Sequence, residues 1–286
     1  MASDNRFAVL IDADNVSVKY IKIILDEISK DGIATYKRIY GDWTNPSLIS
    51  WKSTLLDNSI IPVQQYSYTT GKNSTDSAMI IDAMDILYSG RVEGFCLVSS
   101  DSDFTRLAAR LRESGMTVIG MGESKTPNSF IAACNKFKYL DILSAADEAE
   151  AEEAAPKAEP AKKPAAQPKK TAQKTAAKKP KEEPKAEKEP KLAEPKKQQE
   201  KAIEEPRTSL RTIRRALRTI VRENSDEDNW IMVSQVGNLL DKRYTDFDVR
   251  NFGFSKLTPF LESLDMFEIK DMKKDSSSPQ KYVRLK

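Results

Sequence analysis

The 286-residue sequence contains no histidine. That excludes Ser-His-Asp and Cys-His catalysis, a histidine general base and any imidazole metal ligand. An enzyme built from this chain must work with carboxylates, lysines, hydroxyls or thiols. A metal site must be made mainly of oxygen, which selects Mg²⁺, Mn²⁺ or Ca²⁺ over Zn²⁺. Cysteine is almost as scarce. Cys96 and Cys134 are the only two, too few for a disulfide framework or a cysteine-rich zinc site. Two thiols suit a reducing compartment. No apolar run approaches the roughly 20 residues of a membrane span. The opening MASDNRFAVLIDADN has no basic n-region, long apolar h-region or cleavage site. The expectation is a soluble, cytoplasmic protein with no membrane partner. Glycine-rich phosphate loops are missing too: neither GxxxxGK[ST] nor GxGxxG occurs, which argues against a nucleoside triphosphatase.

What is present is unevenly distributed. Residues 1–144 mix apolar runs with charge, as a globular α/β domain does. Residues 145–206 are nearly all Ala, Lys, Glu, Pro and Gln, acidic at first and lysine-rich later. Such a stretch cannot offset its ordering entropy by burial, so it reads as a disordered linker. Residues 207–286 recover aromatic and branched side chains. The economical reading is two folded units on a tether. Net charge is −2 over 1–144 and +4 over 207–286, so the tail mildly favours phosphate-rich partners.

In the first unit, short apolar runs alternate with amphipathic stretches. FAVLID (7–12), ATYKRIY (34–40), IIPVQQ (60–65), FCLVSS (95–100) and TVIGMG (117–122) read as strands, with a short edge strand near 137–140. The intervening segments have helical periodicity; Ile21, Ile24, Leu25 and Ile28 share one face of the first. This alternation predicts a parallel sheet with helices on both faces. Ligands in such sheets bind beyond the carboxyl ends of strands, where strand order reverses. Asp12 and Asp14 follow the first strand, Asp101 and Asp103 the fourth, and Asp76 opens the helix before the fourth. Any one of them could be a plain helix cap. Together they predict a cation site, because clustered acids at strand ends are costly without one. Lys72, in the loop before Asp76, is a candidate phosphate contact or an ordinary solvent lysine. Asp82 either adds to the site or lies on a solvated helix face.

The segments FAVLIDADN (7–15), GKNSTDSAMIIDAMD (71–85) and LVSSDSDF (97–104) give this unit its family likeness. Over essentially all of 1–144 it resembles the NYN family of PIN-like nucleases. The resemblance implies a PIN-like sheet and RNA cleavage dependent on Mg²⁺ or Mn²⁺. Carried onto this sequence, it implies that Asp12, Asp76, Asp101 and Asp103 are catalytic and hold the metal. Asn15 steadies the first loop, and Ser99 or Ser100 contacts the ion or phosphate. The approach to the middle acid, Lys72-Asn73-Ser74-Thr75-Asp76, is longer than the Lys-Gly-x-Asp of many relatives.

The last segment reads as a small winged-helix (α+β) unit. A first helix spans 207–223, with Leu210, Ile213, Leu217, Ile220 and Val221 on its apolar side. Arg211, Arg214, Arg215, Arg218 and Arg222 cover much of the rest, as a solvated face or a binding surface. Helices at 230–244 and 254–264 follow, then two strands around a polar turn at 266–286. Through TDFDVRNFGFSKLTPFLESLDMFEI (245–269) and YVRLK (282–286) the unit resembles the LOTUS, or OST-HTH, domain. That resemblance implies binding to RNA, to a protein partner, or both. Arg250, Lys256, Lys273, Lys274 and Lys281 are the candidate phosphate contacts. Phe252 or Phe254 could stack on a base of single-stranded RNA, while Trp230, Phe247 and Phe260 read as core.

Three functions compete at this stage. One is a metal-dependent endoribonuclease targeted by its C-terminal module. Another is an RNA-binding adaptor that does not cut. The third is a haloacid-dehalogenase-type phosphatase, whose class also begins on a strand ending in DxD.

Overall fold

A computed structural model describes residues 5–66, 74–154, 208–226, 228–272 and 280–286. The apolar run of the first strand forms β1 (Arg6–Asp12), in which every residue after Arg6 is buried. Phe7, Val9 and Ile11 enter one core, and Ala8 and Leu10 enter another on the opposite face. A strand covered on both faces needs no polar alternation. Around β1 lie β2 (Ile33–Gly41), β3 (Ile61–Gln64), β4 (Gly94–Val98), β5 (Thr117–Gly122) and β6 (Lys136–Tyr139). All neighbours pair in parallel, in the order β3-β2-β1-β4-β5-β6. The order reverses between β1 and β4, so the loops leaving these two strands open onto one crevice.

Helices α1 (Ile21–Asp31), α2 (Trp51–Asp57) and the start of α6 (Leu140–Ala154) pack on the first face, through Ile24, Ile28, Trp51, Leu55, Leu140 and Leu143. Helices α3 (Ser74–Ser89), α4 (Thr105–Glu113) and α5 (Asn128–Ala133) cover the other, through Met79, Ala83, Leu107, Leu111 and Phe130. This is the parallel sheet flanked by helices that the alternation predicts. Helix α6 differs from the sequence reading: it runs to Ala154, into the stretch read as linker. Its Ala- and Glu-rich sequence is made of strong helix formers, which composition alone does not separate from a tether. From residue 155 to 207 the linker reading lies outside the described residues, as do Lys72, Lys273 and Lys274.

The C-terminal part is a small α+β domain. It consists of α7 (Leu210–Asn224), β7 (Ile231–Met232), α8 (Val233–Arg243), α9 (Leu257–Ser263), β8 (Phe267–Met272) and β9 (Gln280–Leu285). Ser209 caps α7 by accepting from the Thr212 amide. Strands β8 and β9 pair antiparallel and β7 joins the free side of β9, giving a three-stranded sheet with the wing at one edge. Phe260 is fully buried, and Phe247, Phe252 and Phe254 pack around its ring with centroids 5.2–6.1 Å away. Trp230 is buried as the sequence predicts, with Arg284 stacked over its ring. Phe252 and Phe254 are thus half-buried in an aromatic cluster.

The segment before α9 also meets the six-stranded sheet. The Phe137 amide of edge strand β6 donates to the Thr245 carbonyl at 2.7 Å. The Tyr139 hydroxyl donates to Asp246 at 3.2 Å. Arg250 donates through both terminal nitrogens to Glu27, at 2.6 and 3.0 Å, and also holds Asp248. Lys138 completes the group with 2.9 Å contacts to Glu27 and Asp31.

Candidate active site

Burial and chain geometry set the back of the site. Asp12 ends β1 and is 1% exposed. One carboxylate oxygen accepts the Asp14 amide at 3.0 Å; the other accepts Asn15 Nδ2 and Ser99 Oγ, both at 2.8 Å. Burial pushes the Asp12 carboxyl up, and these hydrogen bonds oppose the shift. Ser99, itself fully buried, accepts the Asp101 amide at 3.1 Å. Two strand ends that are neighbours in the sheet are therefore tied through one serine. The loop after β4 is fixed a second time, by the Glu123 amide donating to Ser100 Oγ at 2.9 Å. Gly122 makes this approach feasible: a Cβ there would lie 2.6 Å from the Ser99 carbonyl oxygen.

The front of the site is a trio. Asp76, Asp101 and Asp103 each offer a carboxylate oxygen within 4.8 Å of the others. Asp101 is also a cap: one of its oxygens accepts the Asp103 amide at 2.9 Å, opening the short helix Ser102–Phe104. Capping and site membership coexist here, because a carboxylate has a second oxygen. Asp76 stands in the first turn of α3 and is largely buried. Its carboxyl is raised to about 6, first by burial and then by the charges of Asp12, Asp101, Asp103 and Asp14. An acid held up by four other acids is short of positive charge.

Helix α3 is registered on the sheet by Asp82, which accepts from both Arg38 and the Tyr40 hydroxyl on β2. Asp82 lies six residues, roughly 9 Å along the axis, beyond Asp76. It therefore anchors the helix that carries Asp76 and stands apart from the trio. The structure ties Asp12 to Asn15 and Ser99 and Ser99 to Asp101, leaves Ser100 holding the Glu123 amide, and converges Asp76, Asp101 and Asp103. Asp12 itself lies outside the converging trio. Its oxygens accept the Asp14 amide, Asn15 and Ser99, which fix its orientation at the end of β1.

The C-terminal candidates are dispersed. Lys256 is exposed, and Lys281 lies 3.9 Å from Asp271. Arg250 is engaged by Glu27 and Asp248. Sequence reasoning passed over Glu27, whose side chain is 4% exposed and whose carboxyl is held far below its usual range by Arg250, Lys138 and Lys30 against the cost of burial. A signal existed: Glu27 interrupts the apolar face of α1 beside Ile24 and Ile28. A charge in that position needs partners.

A fold with an acid trio at the carboxyl ends of parallel strands defines a PIN-like domain able to coordinate a divalent metal, the arrangement of a metal-dependent nuclease and consistent with hydrolase-type activity. The NYN domain family matches residues 6–141, and the OST-HTH/LOTUS domain family matches residues 207–278. The chain thus carries an N-terminal NYN domain and a C-terminal OST-HTH/LOTUS domain. These identities are consistent with RNA binding and, for the second domain, with protein or RNA interaction. Among solved structures the chain is similar to a protein of unknown function from Vibrio parahaemolyticus. That similarity has 19% identity and a TM-score of 0.41, covering 49% of this chain and 96% of the other. No curated protein matches the chain. Among the described residues, no helix is long and apolar enough to cross a membrane.

Proposed function

We propose that this protein is a metal-dependent endoribonuclease, using Mg²⁺ or Mn²⁺ and cleaving single-stranded RNA that its C-terminal module helps to bind. The observation that carries this reading is the convergence of Asp76, Asp101 and Asp103 within 4.8 Å. The donor set is all oxygen in a chain without histidine, which fits a hard cation. The raised Asp76 carboxyl marks where that positive charge belongs.

A divalent cation bound there supplies polarisation of a phosphoryl oxygen and a lowered pKa for bound water. Asp76, Asp101 and Asp103 would hold it. Asp12 would act from behind, keeping Asn15 and Ser99 in place and adding negative charge. Asp103, the most exposed of the trio, is best disposed to orient an attacking water. In-line attack on the phosphodiester would leave a 5′-phosphate and a 3′-hydroxyl. The buried, unbonded state of Cys96 and Cys134 supports a cytoplasmic setting.

The test is cleavage of end-labelled single-stranded RNA in Mn²⁺, Mg²⁺ or EDTA, comparing the wild type with Asp76→Asn/Asp101→Asn. Metal-dependent cutting that the variant lacks is expected. A 2′,3′-cyclic phosphate product would overturn the water-attack mechanism. Absence of cutting by folded wild type on several RNAs would overturn the nuclease reading and leave a non-catalytic RNA-binding adaptor.

A further inference from the structure

We infer that the exposed arginine stripe of α7 is an RNA-phosphate-binding surface, formed by Arg211, Arg215, Arg218 and Arg222. The inference rests on the reading of the C-terminal module as RNA-binding and names the face that does it. The four residues are spaced 4, 3 and 4 apart. At 3.6 residues per turn they fall within an arc of roughly 60° and run roughly 16 Å along the helix. The buried residues Ile213, Ala216, Leu217, Ile220 and Val221 occupy the opposite side. The arginines are therefore held outward by the burial of the core face.

Three further observations point to a ligand. All four arginines are exposed, and none has an acidic partner among the described residues. The fifth, Arg214, is turned aside to donate to the Leu264 carbonyl at 3.0 Å, and so serves the fold. Second, other cations of the module are neutralised within the protein: Arg250 by Glu27 and Asp248, Arg284 by Glu268, Lys286 by Asp265. Lys242, Arg243, Lys256 and Lys270 also have no acidic partner among the described residues, but they are scattered over other elements, whereas the four on α7 share one arc of a single helix. Third, the stripe ends at an open cavity of about 540 Å³, lined by Arg222, Ser225, Asn229 and Arg284 among others. The Asn229 side chain has no partner among the described residues, so it can meet the edge of a base at the end of a bound strand.

Like charges three and four residues apart repel along a helix. A stripe that keeps three such steps with no acid between them is destabilised until an anion arrives. Neighbouring positions on the stripe are roughly 5–6 Å apart, a spacing that suits successive phosphates of an extended strand. Arginine, with its planar fork of donors, grips phosphate in two-pronged fashion where lysine offers a point charge.

The test is equilibrium binding of the full chain to fluorescent single-stranded RNA in EDTA, so that cutting plays no part, across roughly 50–200 mM salt. For Arg211→Gln/Arg215→Gln/Arg218→Gln/Arg222→Gln, affinity should fall about tenfold or more at the upper salt. The slope of log affinity against log salt should shrink by about 3, at roughly 0.7 per lost phosphate contact. The corresponding four-lysine variant should keep most of the slope. Unchanged affinity and slope in the glutamine variant, with its far-ultraviolet dichroism intact, would overturn the inference. So would a wild type that ignores RNA yet binds polyglutamate through the same four residues. A wild type that binds RNA but never cuts it leaves this surface standing and removes only the nuclease reading.

Discussion

At the residue scale, Asp76 controls the pH response. Its carboxyl lies at about 6 in the folded chain, against an ordinary value of 3.8. A raised folded value means that the proton stabilises the fold. That contribution is complete below pH 3.8 and is lost as pH rises through about 6. In EDTA at pH 8, Asp76→Asn should therefore melt higher than the wild type, by no more than about 3 kcal/mol. With Mn²⁺ the ranking should reverse, since the wild type gains the ion and the variant does not. Mn²⁺ affinity should rise about tenfold per pH unit below 6 and level off above it. A flat affinity profile between pH 5 and 7 would remove Asp76 from the metal site. The acids themselves were legible in the sequence, because strand-end aspartates at a switch point have few purposes. Depth was not legible. Nothing local in the sequence shows that Asp12 is 1% exposed and held by Asp14, Asn15 and Ser99, while its charge still acts on Asp76.

At the scale of elements, the sheet was legible and its contact with the second domain was not. Periodicity and run length locate strands, because each strand's burial is written in its own residues. The Arg250–Glu27 pair joins residues 223 positions apart, and no local pattern encodes such a partnership. Arg250 therefore read as a phosphate contact, like any exposed cation of a basic module. Its partner Glu27 is held well below the ordinary carboxylate range. Stability from this pair is thus present above the unfolded value near 4.5 and is lost as pH falls. Arg250→Ala should destabilise the full chain by about 2 kcal/mol, short of the ~3–5 typical of breaking a buried pair, because Lys138 and Lys30 stay with Glu27. Amide hydrogen exchange at Phe137 should quicken in that variant, since its acceptor, the Thr245 carbonyl, sits five residues before Arg250. Unchanged exchange would show that the ion pair does not hold this contact.

At the scale of the whole molecule, the proposed function would divide labour between the two domains. Carboxylates that gather a cation repel RNA at long range, and basic surface elsewhere in the chain offsets that repulsion. The division shows in the net charges, −2 over residues 1–144 and +4 over 207–286. The docking of the second domain has another consequence, for how the protein can be cut apart. A parallel sheet ends in two strands whose outer backbone groups invite pairing with other chains. One end here is β3, short and interrupted by Pro62, which has no amide to give. The other is β6, and what satisfies its Phe137 amide is the Thr245 carbonyl. A truncated N-terminal domain ending at residue 154 would bare that strand while keeping the clustered acids Asp76, Asp101 and Asp103. Light scattering at matched concentration should find the fragment self-associating where the full chain stays monodisperse. The C-terminal module would then double as an intramolecular guard against strand-to-strand polymerisation.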